Sequence, residues 1–280
     1  MKNKISIIIS HYYPDTKDFK NPLLETLKSI DKENLDPKNF EVIIADDGSH
    51  YSKSIIDNYS KKIKIKNDSR SIYLAENESL NHFFKKKFVQ YDFIKKWIYL
   101  PKLKSCMSKS RVLNYAVKKS SFENLLFLDD DNYFISDNSI AHTMQLFNDY
   151  NFIVGQIKDN NGRLRKFTSN RVQGTTIAIN KKILLDVGGF GEWTEEFSCG
   201  IDSDLWIKLF NHYKHNQFNA CFTNKISTFD SHSKRWGKYT SLFKDFKLKK
   251  KFFELYSCKN YKSKIHNESR NKILWIKNII

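Results

Sequence analysis

Three carboxylates stand in a row at Asp129, Asp130 and Asp131, directly after the apolar run Leu125-Leu126-Phe127-Leu128. Such a cluster repels itself unless a cation neutralises it, and hard oxygen ligands at the end of a buried strand suit Mg2+ or Mn2+. An ion of that kind keeps positions open for a diphosphate and offsets its charge as it departs. A second pair, Asp46-Asp47, follows another β-branched run and leads into the turn residues Gly48-Ser49. Aspartates placed there can accept hydrogen bonds from a base N–H or a ribose hydroxyl. His11-Tyr12-Tyr13 follow a third such run, and a ring such as Tyr12 can stack on a base. Further on, Gly200-Ile201-Asp202-Ser203-Asp204 precede an apolar stripe of Leu205, Trp206, Leu209, Phe210 and Tyr213. Asp202 or Ser203 can cap that helix, and a carboxylate at its start can take a proton from an incoming hydroxyl. His232 can complete a mixed oxygen and nitrogen metal shell, and Arg235 can clamp a phosphate.

The elements that must position these groups alternate in the first half of the chain. Short β-branched or apolar runs at 5–10, 41–45, 72–75, 125–128, 152–157 and 175–179 read as strands. Patterns at 22–30, 55–59, 110–119 and 138–150 read as helices, which predicts an α/β fold with a mostly parallel sheet flanked by helices. In such sheets ligands gather beyond the carboxyl ends of the strands, where the aspartate groups fall. Residues 76–108, rich in aromatics and lysines, predict an amphipathic helix or a lid. After residue 239 the composition turns to Lys, Phe, Tyr and Asn, and this tail reads as basic and helical. The expected organisation is a catalytic domain at 1–238 with a basic amphipathic helical extension at 239–280.

Composition narrows the class of partner. The chain has 280 residues, 40% of them hydrophobic, enough for one large core. Its formal charge of +17 attracts phosphates, nucleic acid or an anionic membrane face. Cys106, Cys199, Cys221 and Cys258 have neither zinc-knuckle nor redox spacing, which fits a reducing cytoplasm. No apolar run is long enough to span a bilayer, so any membrane contact is expected to be peripheral, through the basic tail. An EF-hand loop starting at Asp129 would need glycine where Phe134 stands. A phosphatase of the haloacid dehalogenase type would need a hydroxyl residue where Tyr133 stands. A nucleic-acid-binding protein is one alternative, but no binding motif accompanies the charge and nucleic acid is not an expected partner. A metal-dependent nucleotidyltransferase is another.

In their order along the chain, these groups resemble inverting family 2 glycosyltransferases of the GT-A fold, over residues 4 to about 236. Ser10-His11-Tyr12-Tyr13 looks like the family's first strand end, and Asp46 and Asp47 correspond to its uracil-contacting aspartates. Ser108-Lys109-Ser110-Arg111-Val112-Leu113-Asn114 is similar to its glycine-and-arginine helix start ending in Asn, though the glycine expected near Ser108 is missing, with Arg111 or Lys109 facing the nucleotide. The resemblance implies that Asp129 and Asp131 are the D-x-D carboxylates. Asp131, with Asp129 and His232, would hold the metal, and Asp129 or Asp130 would meet the ribose. Gly188-Gly189-Phe190, with Trp193, would cover the donor sugar and acceptor. Asp202 is the implied catalytic base, with Asp204 the alternative base and otherwise a contact to donor or acceptor. Ile201 departs from the family's usual glutamate. The implied activity is transfer of a hexosyl or N-acetylhexosaminyl group from a nucleotide-sugar, with UDP the expected nucleotide. The acceptor would be a glycan or lipid-linked molecule of capsule or lipopolysaccharide assembly, and an oligomer is possible.

Overall fold

The first strand, β1 (Ile5–His11), is buried along its whole length because both faces of the sheet are covered. Near-continuous Ile and Val is what that environment selects. The structure, a computed structural model, describes residues 4–14, 21–55, 60–66, 68–87, 91–103, 106–168, 171–231, 242–269 and 275–279. The other strands among these are β2 (Phe40–Asp46), β3 (Lys61–Lys64), β4 (Ser71–Glu76), β5 (Ile94–Tyr99) and β6 (Asn124–Asp129). They continue with β7 (Asn132–Phe134), β8 (Phe152–Asp159), β9 (Ile177–Asn180), β10 (Ala220–Asp230) and β11 (Lys277–Ile279). One sheet takes them in the order β11-β10-β8-β9-β6-β1-β2-β5-β4-β3, and β7 pairs with β10. β6, β1, β2 and β5 are mutually parallel, while β9 and β4 run antiparallel to their neighbours.

The helices are α1 (Leu23–Asp31), α2 (Glu78–Lys87), α3 (Lys109–Lys119), α4 (Ser139–Leu146), α5 (Lys181–Asp186), α6 (Ile201–Asn216), α7 (Leu242–Tyr256) and α8 (Tyr261–Ser269). Alternate residues of each strand feed two cores. On one face Ile8, Ile43 and Phe127 meet Leu113 of α3, Trp206 of α6 and Phe252 of α7. On the other, Ile7, Ile44 and Leu128 meet Leu27 of α1, Phe83 of α2 and Ile140 of α4. The α/β architecture is as expected.

Several elements differ from expectation. Within 76–108 the helix alternative is realised as α2, but the described residues that follow form no lid: β5 is a sheet strand whose Trp97 is fully buried. The helix at 138–150 is shorter, and His50–Ile55 forms a 3-10 turn; 56–59 lie outside the described residues. β9 starts at Ile177 because Thr176 adopts a φ of 55°. The tail is helical through α7 and α8 but ends in β11, parallel to β10. It also packs into the core. Trp275, 2% exposed, stacks on Phe152 of β8 at 6.0 Å and donates its indole N–H to the Tyr261 hydroxyl at 2.9 Å. Phe246 and Phe253, on the outer side of α7, are 67% and 60% exposed.

Candidate active site

Strand register brings the polar strand ends into one row. His11 of β1 lies opposite Asp46 of β2, and Ser10 lies opposite Asp129 of β6. The chain adds β2 on one side of β1 and β6 on the other, so this row lies at a topological switch point, where such sheets bind ligands.

The two aspartates at the end of β2 have different duties. Asp46 is fully buried and bound within the fold: one oxygen accepts from the Ser49 amide at 2.7 Å, the other from the Ser52 hydroxyl at 2.5 Å and the Trp97 indole at 3.1 Å. In Asp47, Oδ2 accepts from the Lys102 ammonium at 2.6 Å and the Ser108 amide at 3.0 Å. Its Oδ1 is buried without a hydrogen-bond partner. A buried orphan acceptor is costly and marks a place where a donor belongs. Burial pushes the Asp47 carboxyl up to about 6, against the pull of Lys102. The Lys102 ammonium lies 4.2 Å over the Tyr12 ring, so these residues form one pocket.

The triple aspartate divides likewise. Asp130 is 3% exposed, and its Oδ2 is held by His11 Nδ1 at 2.5 Å and by the Tyr12 amide at 3.2 Å. His11 Nε2 bonds the Tyr51 hydroxyl at 2.6 Å, so both ring nitrogens face protein partners. The structure thus gives His11, Asp46 and Asp130, all expected on the nucleotide, hydrogen bonds that shape the pocket wall. Asp129 and Asp131 are half-buried and reach the surface. Lys109, on the first turn of α3, bonds Asp129 at 2.5 Å. The charges of Asp129, Asp202 and Asp131 all raise its pKa, outweighing the opposing effect of burial.

Asp202 reaches this cluster from α6. The helix is capped by Gly200 rather than by Asp202 or Ser203, with no side-chain cap bond, so the Asp202 carboxylate is not spent on the helix end. It packs against Gly174, where a Cβ would stand 2.0 Å from Asp202 Oδ1. Burial raises the Asp202 pKa; Lys109 draws it down and Asp129 pushes it up. Asp204 is fully buried and bridges three elements. It accepts from the Trp193 indole at 2.8 Å and the Tyr256 hydroxyl of α7 at 2.5 Å, and pairs with Lys208 at 2.7 Å. Trp193 and Asp204 therefore lock α7 to the turn that precedes α6.

Gly189 and Phe190 are clamped by Asn114 of α3, whose side-chain amide accepts from the Phe190 N–H and donates to the Phe190 carbonyl, each at 2.8 Å. Only glycine fits at 189: φ is 66° and a Cβ would stand 2.5 Å from Asn114 Oδ1. The Phe190 ring is core, edge-on to Phe127. Arg111 faces away from the aspartates, pairing with Glu192 at 3.0 Å and Glu195 at 3.1 Å. Arg70 joins the same network through Asp68 and Glu195, both at 2.6 Å. His232 and Arg235 lie outside the described residues. The pattern of residue types gave no signal for Lys102, Gly174 or Thr175, whose hydroxyl accepts the Asp129 amide at 2.8 Å.

Comparison with known proteins bears on the fold. Residues 6–85 match the sequence family described as Glycosyl transferase family 2. Two solved structures superpose with a TM-score of 0.50. One is S. aureus TarS (1–349) in complex with UDP-GlcNAc, at 17% identity over 84% of this chain and 60% of that one. The other is the mannosyltransferase PcManGT from Pyrobaculum calidifontis in complex with GDP-Man and Mn2+, at 13% identity over 83% and 58%. The fold of the described residues is the GT-A type of α/β fold, as in these two structures. The chain spans about three fifths of each of those two solved chains. No curated protein matches it in sequence. Within this fold, Asp202 comes from a segment more than 70 residues away to meet Lys109, Asp129 and Asp131 at the carboxyl ends of the central strands. Among the described residues, no helix is long and apolar enough to cross a membrane.

Proposed function

We propose that this protein is an inverting glycosyltransferase that moves a sugar from a UDP-sugar to a hydroxyl of a glycan or lipid-linked acceptor. Assembly of a bacterial capsule or lipopolysaccharide is the setting that fits the resemblance. The observation that carries the reading is the meeting of Asp202 with Asp129 and Lys109 beside a pocket whose buried Asp47 acceptor lacks a donor. Asp47 Oδ1 receives the base N–H, the base lies by Tyr12 once Lys102 moves aside, and Asp129 receives the ribose. Lys109, rather than Arg111, faces the donor, since Arg111 is paired with Glu192 and Glu195.

Asp131 and Asp129, with His232 beyond the described residues, would hold Mg2+ or Mn2+. Among the described residues no cluster of three His, Cys, Asp or Glu could hold an ion alone. Two half-exposed carboxylates nonetheless fit an ion that takes one or two protein oxygens and completes its shell from phosphates. When bound, the ion offsets charge on the departing nucleoside diphosphate. The residues do the rest. Asp202 takes the proton of the acceptor hydroxyl onto a carboxylate oxygen as that hydroxyl attacks the anomeric carbon. The bond from that carbon to the diphosphate oxygen breaks with its electron pair on the diphosphate, and in-line displacement inverts the carbon. The base role goes to Asp202 rather than Asp204 because Asp204 is buried and already holds three partners.

On α7, Phe246, Lys249, Lys250 and Phe253 share one exposed helical face, a pattern that suits an anionic membrane surface carrying a lipid-linked acceptor. The central test is Asp202→Asn: donor binding is expected to persist while transfer falls by about 100-fold or more. Full turnover with unchanged donor affinity would remove Asp202 from the chemistry.

A further inference from the structure

We infer that Arg171 forms an anion subsite on the acceptor side of the active site, so that the acceptor carries a phosphate or carboxylate close to the hydroxyl receiving the sugar. The inference rests on Asp202 as the base. Arg171 is half-buried, and of its five N–H donors one has a protein partner among the described residues, through Nη1 to the Lys166 carbonyl at 3.0 Å. The carboxylate whose charge reaches it, Asp159, is already bonded to Arg165 at 2.6 Å, and Arg165 also bonds Asp230. Burial and the neighbouring Arg165 draw the Arg171 pKa down to about 10. A half-buried guanidinium without a bonded anion is held at a disadvantage that an incoming anion would relieve.

The chain ties Arg171 to the chemistry through the three residues that follow it. Gln173 is 3% exposed, donates to the Gly155 and Thr175 carbonyls at 3.1 and 3.0 Å, and through its own carbonyl accepts the Trp206 indole at 2.9 Å. Gly174 touches Asp202, and the Thr175 hydroxyl receives the Asp129 amide. The Cα of Arg171 is thus within about 11 Å of the glycine against which the base rests, the reach of three extended residues. Asp230, the partner of the neighbouring Arg165, precedes Ser231, whose amide donates to the Asp131 carbonyl at 3.0 Å. The cations on the donor side, Lys102 and Lys109, belong to the strand-end row beyond Asp129, so the diphosphate has its own partners. The sequence adds to the imbalance: between Asp159 and Asp186 there is no acidic residue, while Arg163, Arg165, Lys166 and Arg171 all fall there. A neutral acceptor would leave this charge unanswered.

The test is calorimetric titration of the full chain, with and without saturating UDP and Mn2+, using matched pairs: glycerol 3-phosphate against glycerol, and galacturonate against galactose. In the wild type the charged member of at least one pair is expected to bind about tenfold tighter or more. Arg171→Gln should bring the pair within about twofold at unchanged UDP affinity, and Arg171→Lys should retain part of the preference. Which pair responds distinguishes phosphate from carboxylate. Absence of any preference, or a preference that survives Arg171→Gln, overturns the inference. So does a parallel loss of UDP affinity in that variant, which would assign Arg171 to the donor. Failure of the wild type to bind any nucleotide would count against the glycosyltransferase reading alone, since the titrations without UDP still report on the anion subsite.

Discussion

Changing Asp47 to asparagine alters the chemistry of the proposed base pocket at one atom. Oδ2 receives two donors, Lys102 and the Ser108 amide. The side-chain amide in Asp47→Asn must turn its oxygen to those donors, which leaves its NH2 where the unpartnered Oδ1 now lies. The uracil ring N–H would then meet a donor in place of a carboxylate. Losing one charge-assisted hydrogen bond amounts to about 1.5–3 kcal/mol, so UDP affinity should fall about 10- to 150-fold. Cytosine presents a ring acceptor at the same position, so CDP should gain relative to UDP and the base preference should narrow or reverse. Titration of both nucleotides into both proteins at pH 7.5 measures this, with thermal unfolding as the control for folding. A UDP affinity within about threefold of wild type, with unchanged base preference, would refute the assignment. The pocket also predicts a pH dependence. Burial holds the Asp47 pKa at about 6, above its ordinary 3.8, and the base N–H needs the ionised form. UDP affinity should therefore weaken as pH falls through 6, by about tenfold between pH 7.5 and 5, and this slope should vanish in the variant.

Other consequences are as direct. In Gly174→Ala the added Cβ would collide with Asp202 Oδ1, so transfer should drop by about 100-fold while UDP affinity holds; near-normal transfer would show that the placement of Asp202 does not matter. Glu33 caps α4 through the Ser139 and Ile140 amides at 3.0 and 2.9 Å, and burial raises its pKa from 4.5 to about 7. The folded state therefore binds this proton more tightly than the unfolded one, and the stability it confers is full below 4.5 and lost as pH rises through 7. Relative to Glu33→Gln, wild type should lose up to about 3 kcal/mol between pH 4 and 8; parallel Tm curves would contradict this. Serine at both Phe246 and Phe253 should abolish flotation of the protein with vesicles containing phosphatidylserine, and undiminished flotation would mean that α7 does not anchor it.

The central strands were legible because β1, β2, β6 and β8 are buried on both faces and so run almost without polar interruption. β5 was hidden by Lys95 and Lys96 within its run; Lys96 is tolerated there because it pairs with Glu41 at 2.8 Å. β10 was hidden by a register shift between Thr223 and Ser227, which breaks the two-residue alternation. Within the candidate site, residue type located the aspartates, but not which of each pair turns inward. That choice depends on partners far away in sequence, such as Trp97 for Asp46 and His11 for Asp130. Removing the tail would take away the buried Trp275, so its contribution is better probed by surface substitutions on α7 than by truncation.

The two ends of the sheet give part of the chain's large positive charge a further meaning. One edge is β3, four residues long, with Lys61, Lys62 and Lys64 exposed; the other is β11, three residues long, with Lys277 exposed. An open edge is a template on which another copy can add a strand, and short strands bearing lysine are a common way to prevent it. β11 also covers the much longer β10, which carries Phe222 and Ile226 and would otherwise present its ladder to solvent. Neutralising the lysines of β3 would therefore be felt first as aggregation, with catalysis and nucleotide affinity left intact in the molecules that stay in solution.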